Sequence, residues 1–468
     1  MAIDAPAFPD HPYLTGAFEP VHDELVADDL PVRGELPAAL RGSFLRNGGN
    51  PAFAPLGRFH LFDGDGMVHA LEIEDGRARY RNRFVESAGL LAERRAGRAL
   101  FGGLSEFVMP DPEVLAEAGV IKNTANTHVI GHAGRILALM EGARPTELTP
   151  ELDTVGEYDF DGALDGPMTA HPKLDPVSGE LVFFGYSPRP PYLRIHVADA
   201  AGRLVRSEPI DLPGPVMMHD FAVTERSVVI FDLPAVFDLD AFVSGGTSVR
   251  WAPERGARIG VMPRDGGNDD VAWTEVEPFY VFHFLNAFDH GDGSVVVDGC
   301  RAERLPTAFG DEVLPEPVQP SLHRWHIDPS TGRVHDEALD DRPVDFPRVS
   351  PLVESRPNRY GYTGHASTWD AEIARFDGFV KYDLGESTST AHIFGRGVAS
   401  GEPVFAPDPD GEDEDAGWLL TFVEDLATRT STVEIVDARD LAGGSVASVA
   451  LPRRVPFGFH GSWLPAPA

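Results

Sequence analysis

Apolar residues gather in short runs, each fenced by Gly, Pro, Asp or Ser. Residues 134–142 read GRILALMEG, 179–187 GELVFFGYS, 226–234 RSVVIFDLP, 293–300 GSVVVDGC and 417–425 GWLLTFVED. Runs of this length, rich in Val, Ile, Leu and Phe and bounded by turn formers, predict β-strands. DPVSGE (175–180) and DPSTGR (328–333) read as hairpin turns, with glycine at the left-handed position. Helical signals are confined to Leu90–Leu100 and Asp111–Gly119, where good helix formers run into a glycine. Pro407–Gly417 (PDPDGEDEDAG) is a solvated acidic loop without the EF-hand spacing.

The chain has 468 residues, enough for several ordinary domains at about 100–200 residues each. Its 48 glycines and 41 prolines are spread throughout and leave no linker-like break. Short strands over such a length, without a break, predict one all-β unit over residues 1–468, a radial repeat such as a β-propeller. No sharp sequence period marks the repeat, so the prediction rests on strand spacing.

Acidic residues outnumber basic ones 74 to 39, for a formal net charge of −35. A surface of that sign repels phosphate backbones and anionic lipid, which argues against nucleic acid as a partner. The single cysteine, Cys300, excludes an intrachain disulfide and a cysteine-based metal cluster, and fits a reducing compartment. The N-terminus (MAIDAPAFPDHPYLTG) lacks the pattern of a signal peptide, and no run approaches 18 apolar residues. A cytoplasmic location is the expectation. The stretch Leu90–Val108, with Leu and Phe beside Arg, is a candidate for peripheral membrane contact as well as for a plain helix.

Four of the 17 histidines stand apart by context. His171 (MTAHPKLDP) and His219 (MMHDFAVT) precede strands; His283 (FYVFHFLNAFD) lies inside an apolar run; His460 (VPFGFHGSW) is flanked by Phe and Gly. Buried imidazoles need partners, and a metal is an efficient one. No helix or hairpin joins positions so far apart in sequence, but a propeller aims residues of successive blades at one axis. Four neutral imidazoles suit Fe(II), Zn, Cu or Ni, and spacing leaves that choice open.

Nine segments in order carry a resemblance. They are LRGSFLRNGGNP (40–51), HLFDGDGMVHAL (60–71), NTANTHVI (123–130), MTAHP (168–172), MMHDFAVT (217–224), FHFLNAFD (282–289), DFPRV with RYGYTGHA downstream (345–366), GEPVFAP (401–407) and VPFGFHG (455–461). Through them the chain resembles the carotenoid cleavage oxygenases, a family that includes carotenoid and apocarotenoid cleavers, bacterial stilbene cleavers and the vertebrate retinoid isomerase. The resemblance implies a seven-bladed β-propeller under a dome of loops and short helices. It also implies Fe(II) on the axis, held by His171, His219, His283 and His460. Three outer carboxylates, Glu141, Asp345 and Glu402, should orient His219, His283 and His460 in that order, leaving His171 without one. Asp345 departs from the usual Glu and is one methylene shorter, which predicts a longer or water-bridged bond to His283.

The implied reaction is cleavage of one conjugated C=C bond with O2, giving two carbonyls. Phe282, Phe284 and Phe459, with Phe457 and Trp463, are candidates for an apolar substrate tunnel, and Thr127 (with Thr124) for the wall of the O2 pocket. Stilbene-cleaving relatives tend to carry a Lys just before the first outer carboxylate; Met140 stands there, an uncharged thioether that suits an apolar chain better than a phenolate. That favours a carotenoid or apocarotenoid over a hydroxystilbene. The alternatives are stilbene or phenylpropanoid cleavage at the same iron, and a propeller that isomerises or merely binds an apolar ligand. A propeller glycosidase would need paired acids with room for a sugar; Asp63 and Asp65 of FDGDG read instead as turn formers, and Asn47, Asn50, Asn126 and Asn286 as partners of loop backbone.

Overall fold

The computed structural model describes residues 8–307, 309, 317–369 and 375–466. The first seven residues, on which the signal-peptide reading partly rests, and both ends of the predicted 1–468 unit lie outside the described residues.

The predicted strands form where the apolar runs stand: Arg135–Leu139, Leu181–Tyr186, Ser227–Asp232, Val295–Ala302 and Gly417–Asp425. Among the described residues, seven antiparallel sheets of four or more strands form the blades of a β-propeller, and an eighth pairs Ala235–Phe237 with Val249–Trp251. In chain order, blade 1 holds Gly42–Arg46, Met67–Glu74 and Arg77–Phe84, and blade 2 runs from His128–His132 to Thr154–Glu157. Blade 3 runs from Lys173–Leu174 to Leu204–Ile210, blade 4 from Ala222–Val223 to Ala272–Val276, and blade 5 from Tyr280–Asp289 to Arg333–Ala338. Blade 6 spans Val344–Arg348 to Thr388–Ile393, and blade 7 is built on Gly417–Asp425 and Thr430–Asp437.

Position in the blade explains the sequence of each strand. In blade 3 the second strand, Leu181–Tyr186, is buried at every residue, because neighbouring blades cover both its faces. The outer strand, Leu204–Ile210, alternates between half-buried and exposed, since one face meets water. The core is correspondingly a set of seams between blades. Phe184, Phe221 and Ile230 pack between blades 3 and 4; Phe231, Phe284 and Trp325 between blades 4 and 5; Phe44, Leu420 and Ile435 between blades 7 and 1.

Segments near either end of the described residues close the ring. The C-terminal strand Gly461–Pro465 pairs with Gly42–Arg46 in blade 1, and Val32–Gly34 pairs with Ser445–Ala450 in blade 7. The two predicted hairpin turns form, with Gly179 at φ 72° and Gly332 at φ 64°. The acidic loop links the paired strands Val404–Pro407 and Gly417–Asp425.

Short helices form at Ala88–Ala96, Pro112–Ala118 and Leu239–Val243, outside the seven sheets. The first starts at Ser87, whose hydroxyl accepts from Leu90 N, and stops at Gly97 in the left-handed region. It turns Leu90 and Ala92 inward, while Arg94 and Arg95 pair with Glu86 and Glu117. Among the described residues no helix is long and apolar enough to cross a membrane.

Candidate metal centre

Every blade sends one polar residue to the axis. Blades 3, 4, 5 and 1 supply His171, His219, His283 and His460, each in or just before an inner strand. Blades 2, 6 and 7 supply Glu141, Asp345 and Glu402, which stand behind three of these histidines. All four histidines are buried, and one ring nitrogen of each lies within 4.8 Å of the others. His171 Nε2 and His219 Nε2 are 3.0 Å apart.

The outer hydrogen bonds fix which nitrogen faces inward. His219 Nδ1 donates to Glu141 Oε2 at 2.6 Å, His283 Nδ1 to Asp345 Oδ1 at 2.8 Å, and His460 Nδ1 to Glu402 Oε1 at 2.8 Å. An ionised carboxylate only accepts, so the proton sits on Nδ1 and the Nε2 lone pair points to the axis. His283 Nε2 is buried without a hydrogen-bond partner among the described residues. Three inward lone pairs, that of His283 orphaned, meeting a fourth buried imidazole fit a metal ion better than a hydrogen-bond network. The expected longer or water-bridged Asp345–His283 contact is corrected: the bond is direct. Phe346 lies in the left-handed region at φ 53°, and the pairing register slips between Asp345 and Arg348. That bulge carries the shorter carboxylate to the ring. Asp345 Oδ1 also accepts from Phe346 N at 2.9 Å, and the buried Cys300 thiol hydrogen-bonds the same carboxylate.

Burial and the neighbouring rings His219, His460 and His283 push His171 well below the ordinary imidazole value. Burial lowers His460 to about 3, against the opposing pull of Glu402. Both are therefore neutral and able to ligate at neutral pH. Burial also acts against the charge on His219, but Glu141 outweighs it and the net shift is upward. Burial would raise Glu402, yet Arg348 and His460 hold it below the usual carboxylate range.

Above the histidines lies a cavity of about 650 Å³, within the usual size of small-molecule sites. Thr127, Met140, Phe282 and Phe459 line it, as does Thr124. Thr127 also accepts from His460 N through its carbonyl, at 3.0 Å, so the cavity wall and the ligand share one backbone contact. Met140 Sδ curls back to accept from Gly142 N at 3.0 Å. Phe284 is a correction: it packs in the seam of blades 4 and 5, with its ring 4.5 Å from Phe231. Its place in the motif around His283 makes it a candidate, but the register slips between Val281 and Phe284, and Phe282 and His283 both face the cavity. Phe457 and Trp463 also lie off the cavity, in core seams against Phe18 and beside Phe44. Asn47, Asn50, Asn126 and Asn286 each bond loop carbonyls as expected.

Sequence reasoning missed several neighbours. Phe346 edges both His283 and His460, with ring centroids 5.1 and 4.6 Å away, and Trp369 and Phe376 extend the aromatic wall. Tyr186 donates to Glu141 Oε1 at 2.8 Å. Its only sequence signal was its place at the end of a predicted strand. Arg348 grips Glu402 with a fork at 2.8 and 2.9 Å; it lies three residues after Asp345 in DFPRV, and nothing in that motif signals its partner 54 residues downstream.

Residues 18–465 match the family described as Retinal pigment epithelial membrane protein. A carotenoid cleavage oxygenase of Mycobacterium tuberculosis is 37% identical over 509 aligned residues, covering 97% of this chain and 98% of that one. A carotenoid 9,10(9',10')-cleavage dioxygenase of Phaseolus vulgaris is 36% identical, covering 96% of this chain and 89% of that one. The crystal structure of a lignostilbene dioxygenase from Pseudomonas brassicacearum superposes with a TM-score of 0.92 at 32% identity, over 99% of this chain and 100% of that one.

Proposed function

The chain belongs to the carotenoid cleavage oxygenase family of enzymes, and from that premise we propose that it is an Fe(II)-dependent dioxygenase cleaving one C=C bond of a carotenoid or apocarotenoid into two carbonyl products. The observation that carries this reading is the convergence of four buried imidazoles on the floor of an aromatic cavity. Four neutral nitrogen donors suit ferrous iron, and His171, His219, His283 and His460 would hold it. Glu141, Asp345 and Glu402 would keep three of those rings in the ligating tautomer. Bound there, the iron supplies O2 activation beside an electron-rich double bond.

The chain's own residues bind and place the substrate. Phe62, Phe282, Phe346 and Phe459 surround the inward nitrogens with apolar surface, which excludes water and favours a conjugated chain. Burying such a chain contributes about 25 cal/mol per Å² of apolar surface removed from water. The reaction needs no protein nucleophile and no general base. We assign the whole of 1–468 to this one unit, since Val32–Gly34 is built into blade 7 and Gly461–Pro465, directly after His460, into blade 1.

The likeness to the lignostilbene dioxygenase favours a second reading, cleavage of an aryl alkene at the same centre. Against it, Met140 offers no charge to a phenolate, and Lys122 on the cavity wall is held at 2.8 Å by both Asp65 and Glu93. Incubating the iron-loaded protein with a panel of apocarotenals and hydroxystilbenes, with products read by mass spectrometry, separates these readings. Paired aldehydes or ketones from the apocarotenals alone are expected. Cleavage confined to stilbenes would select the second reading, and recovery of isomers or unchanged substrate would defeat both.

A further inference from the structure

His171 is the one candidate ligand with no carboxylate among its described hydrogen-bond partners, and it carries no outer restraint of the kind the other three have. Arg348 offers one by another route. Its guanidinium lies side-on to Glu402: Nε donates to Oε1 at 2.8 Å and Nη2 to Oε2 at 2.9 Å. The remaining donors to that carboxylate are His460 Nδ1 at 2.8 Å and Gly461 N at 2.9 Å, so each oxygen receives two hydrogen bonds. Arg348 Nη2 also donates to the carbonyl of Gly461 at 2.9 Å, directly after His460. On its other side Nη2 lies 3.3 Å from Nε2 of His128, a buried fifth histidine. His128 Nδ1 donates to the carbonyl of Ala170 at 2.8 Å, directly before His171.

We infer that Arg348 is a positioning residue for two of the metal ligands, fixing His460 through Glu402 and the backbone before His171 through His128. The inference rests on the metal-site reading above. It adds a cationic clamp that joins blades 6, 7, 1, 2 and 3 around one half of the centre. The other two carboxylates are held differently. Glu141 receives His219 and the Tyr186 hydroxyl, and Asp345 receives His283, Phe346 N and the Cys300 thiol. Nη2 has two N–H groups: one goes to Glu402 Oε2, and the other is shared between the Gly461 carbonyl and His128 Nε2. His128 Nε2 also lies 3.2 Å from that carbonyl and 3.4 Å from Ser462 Oγ. A planar fork holds both Glu402 oxygens while aiming that shared N–H; a lysine ammonium in the same place keeps the charge but not that geometry.

The test uses the full-length, metal-free protein and cobalt(II). Affinity is read by competition with a chromogenic chelator, and ligand geometry by the visible d–d spectrum of the cobalt form. Arg348→Met should weaken cobalt binding about tenfold or more and alter the spectrum, the loss typical of removing an outer-sphere partner. Arg348→Lys should recover less than half of that loss, and it carries the test if the methionine variant does not fold. Because Arg348 acts partly through Glu402, the effects of Arg348→Met and Glu402→Gln should not multiply in the double variant. Cobalt affinity and spectrum unchanged from wild type, with only the metal-free melting temperature lowered, would reduce Arg348 to a structural ion pair and overturn the inference. So would full recovery by lysine, or strictly multiplicative losses. A wild-type chain that binds no cobalt, or binds it equally well after His460→Ala, would instead overturn the metal-site reading beneath it, and the inference with it.

Discussion

Asp345 and Glu402 serve their histidines at the same distance, 2.8 Å, with side chains of different length. The bulge at Phe346 makes up the missing methylene, so the backbone and the side chain were exchanged for one another. Such an exchange is invisible in a sequence, where a shorter acid reads as a weaker contact. If the bond is made as described, Asp345→Asn should lower Fe(II) affinity by about 10–100-fold in chelator competition. An unchanged affinity would mean that the carboxylate charge is not what orients His283, and that packing such as the Phe346 ring suffices. The same limit explains Phe284. Alternation assigns faces only while the register is regular, and it slips on both sides of Phe284, between Val281 and Phe284 and between Phe284 and Asn286. Met140, in contrast, was legible, because its chemistry follows from its place before Glu141. Met140→Lys should improve KM for a hydroxystilbene about tenfold relative to an apocarotenal, the worth of one charged hydrogen bond. A KM ratio that does not move would show that phenol recognition lies elsewhere on the wall.

Strands, turns and the two short helices were readable because each is specified locally, by an apolar run or by a glycine. Strand partners were not, since pairing such as Gly42–Arg46 with Gly461–Pro465 joins opposite ends of the chain. Turn chemistry did reach further than its own loop. In the turn at 175–180, Asp175 accepts from Val177 N at 2.9 Å, from Ser178 N at 3.2 Å and from Arg264 at 2.7 Å, tying blade 3 to blade 4. Burial works against its charge, but the Val177 amide, Arg264 and Ser178 outweigh it and hold the carboxyl at about 2, below its ordinary 3.8. A depressed carboxylate contributes its stability fully above the unfolded value and loses it as pH falls through the folded one. Asp175→Asn should therefore cost about 1–3 kcal/mol at neutral pH, with the deficit against wild type closing as pH falls toward about 2. Melting curves across that range check the sign; a deficit that widens on acidification would refute the assignment.

At the scale of the whole molecule, ring closure and the site draw on the same segment of chain. His460 is followed directly by the strand that closes blade 1, and the other six axial residues come from the other six blades. No part of the chain holds the centre alone, which is why the histidines lie so far apart in sequence and why only a radial fold accounts for them. A resemblance spread over nine segments could name all seven residues because those segments reach the inner parts of all seven blades. It could not name Arg348 or Tyr186, whose roles depend on distances between blades. The most direct test of the account is the stoichiometry of the purified, Fe(II)-loaded chain: iron per chain, O2 consumed and carbonyl product formed on an apocarotenal, beside His283→Ala. The account predicts one iron per chain and one O2 per pair of carbonyls, with both lost in the variant. Iron bound at that ratio without O2 uptake on apocarotenals or stilbenes, or turnover that survives loss of His283, would contradict it.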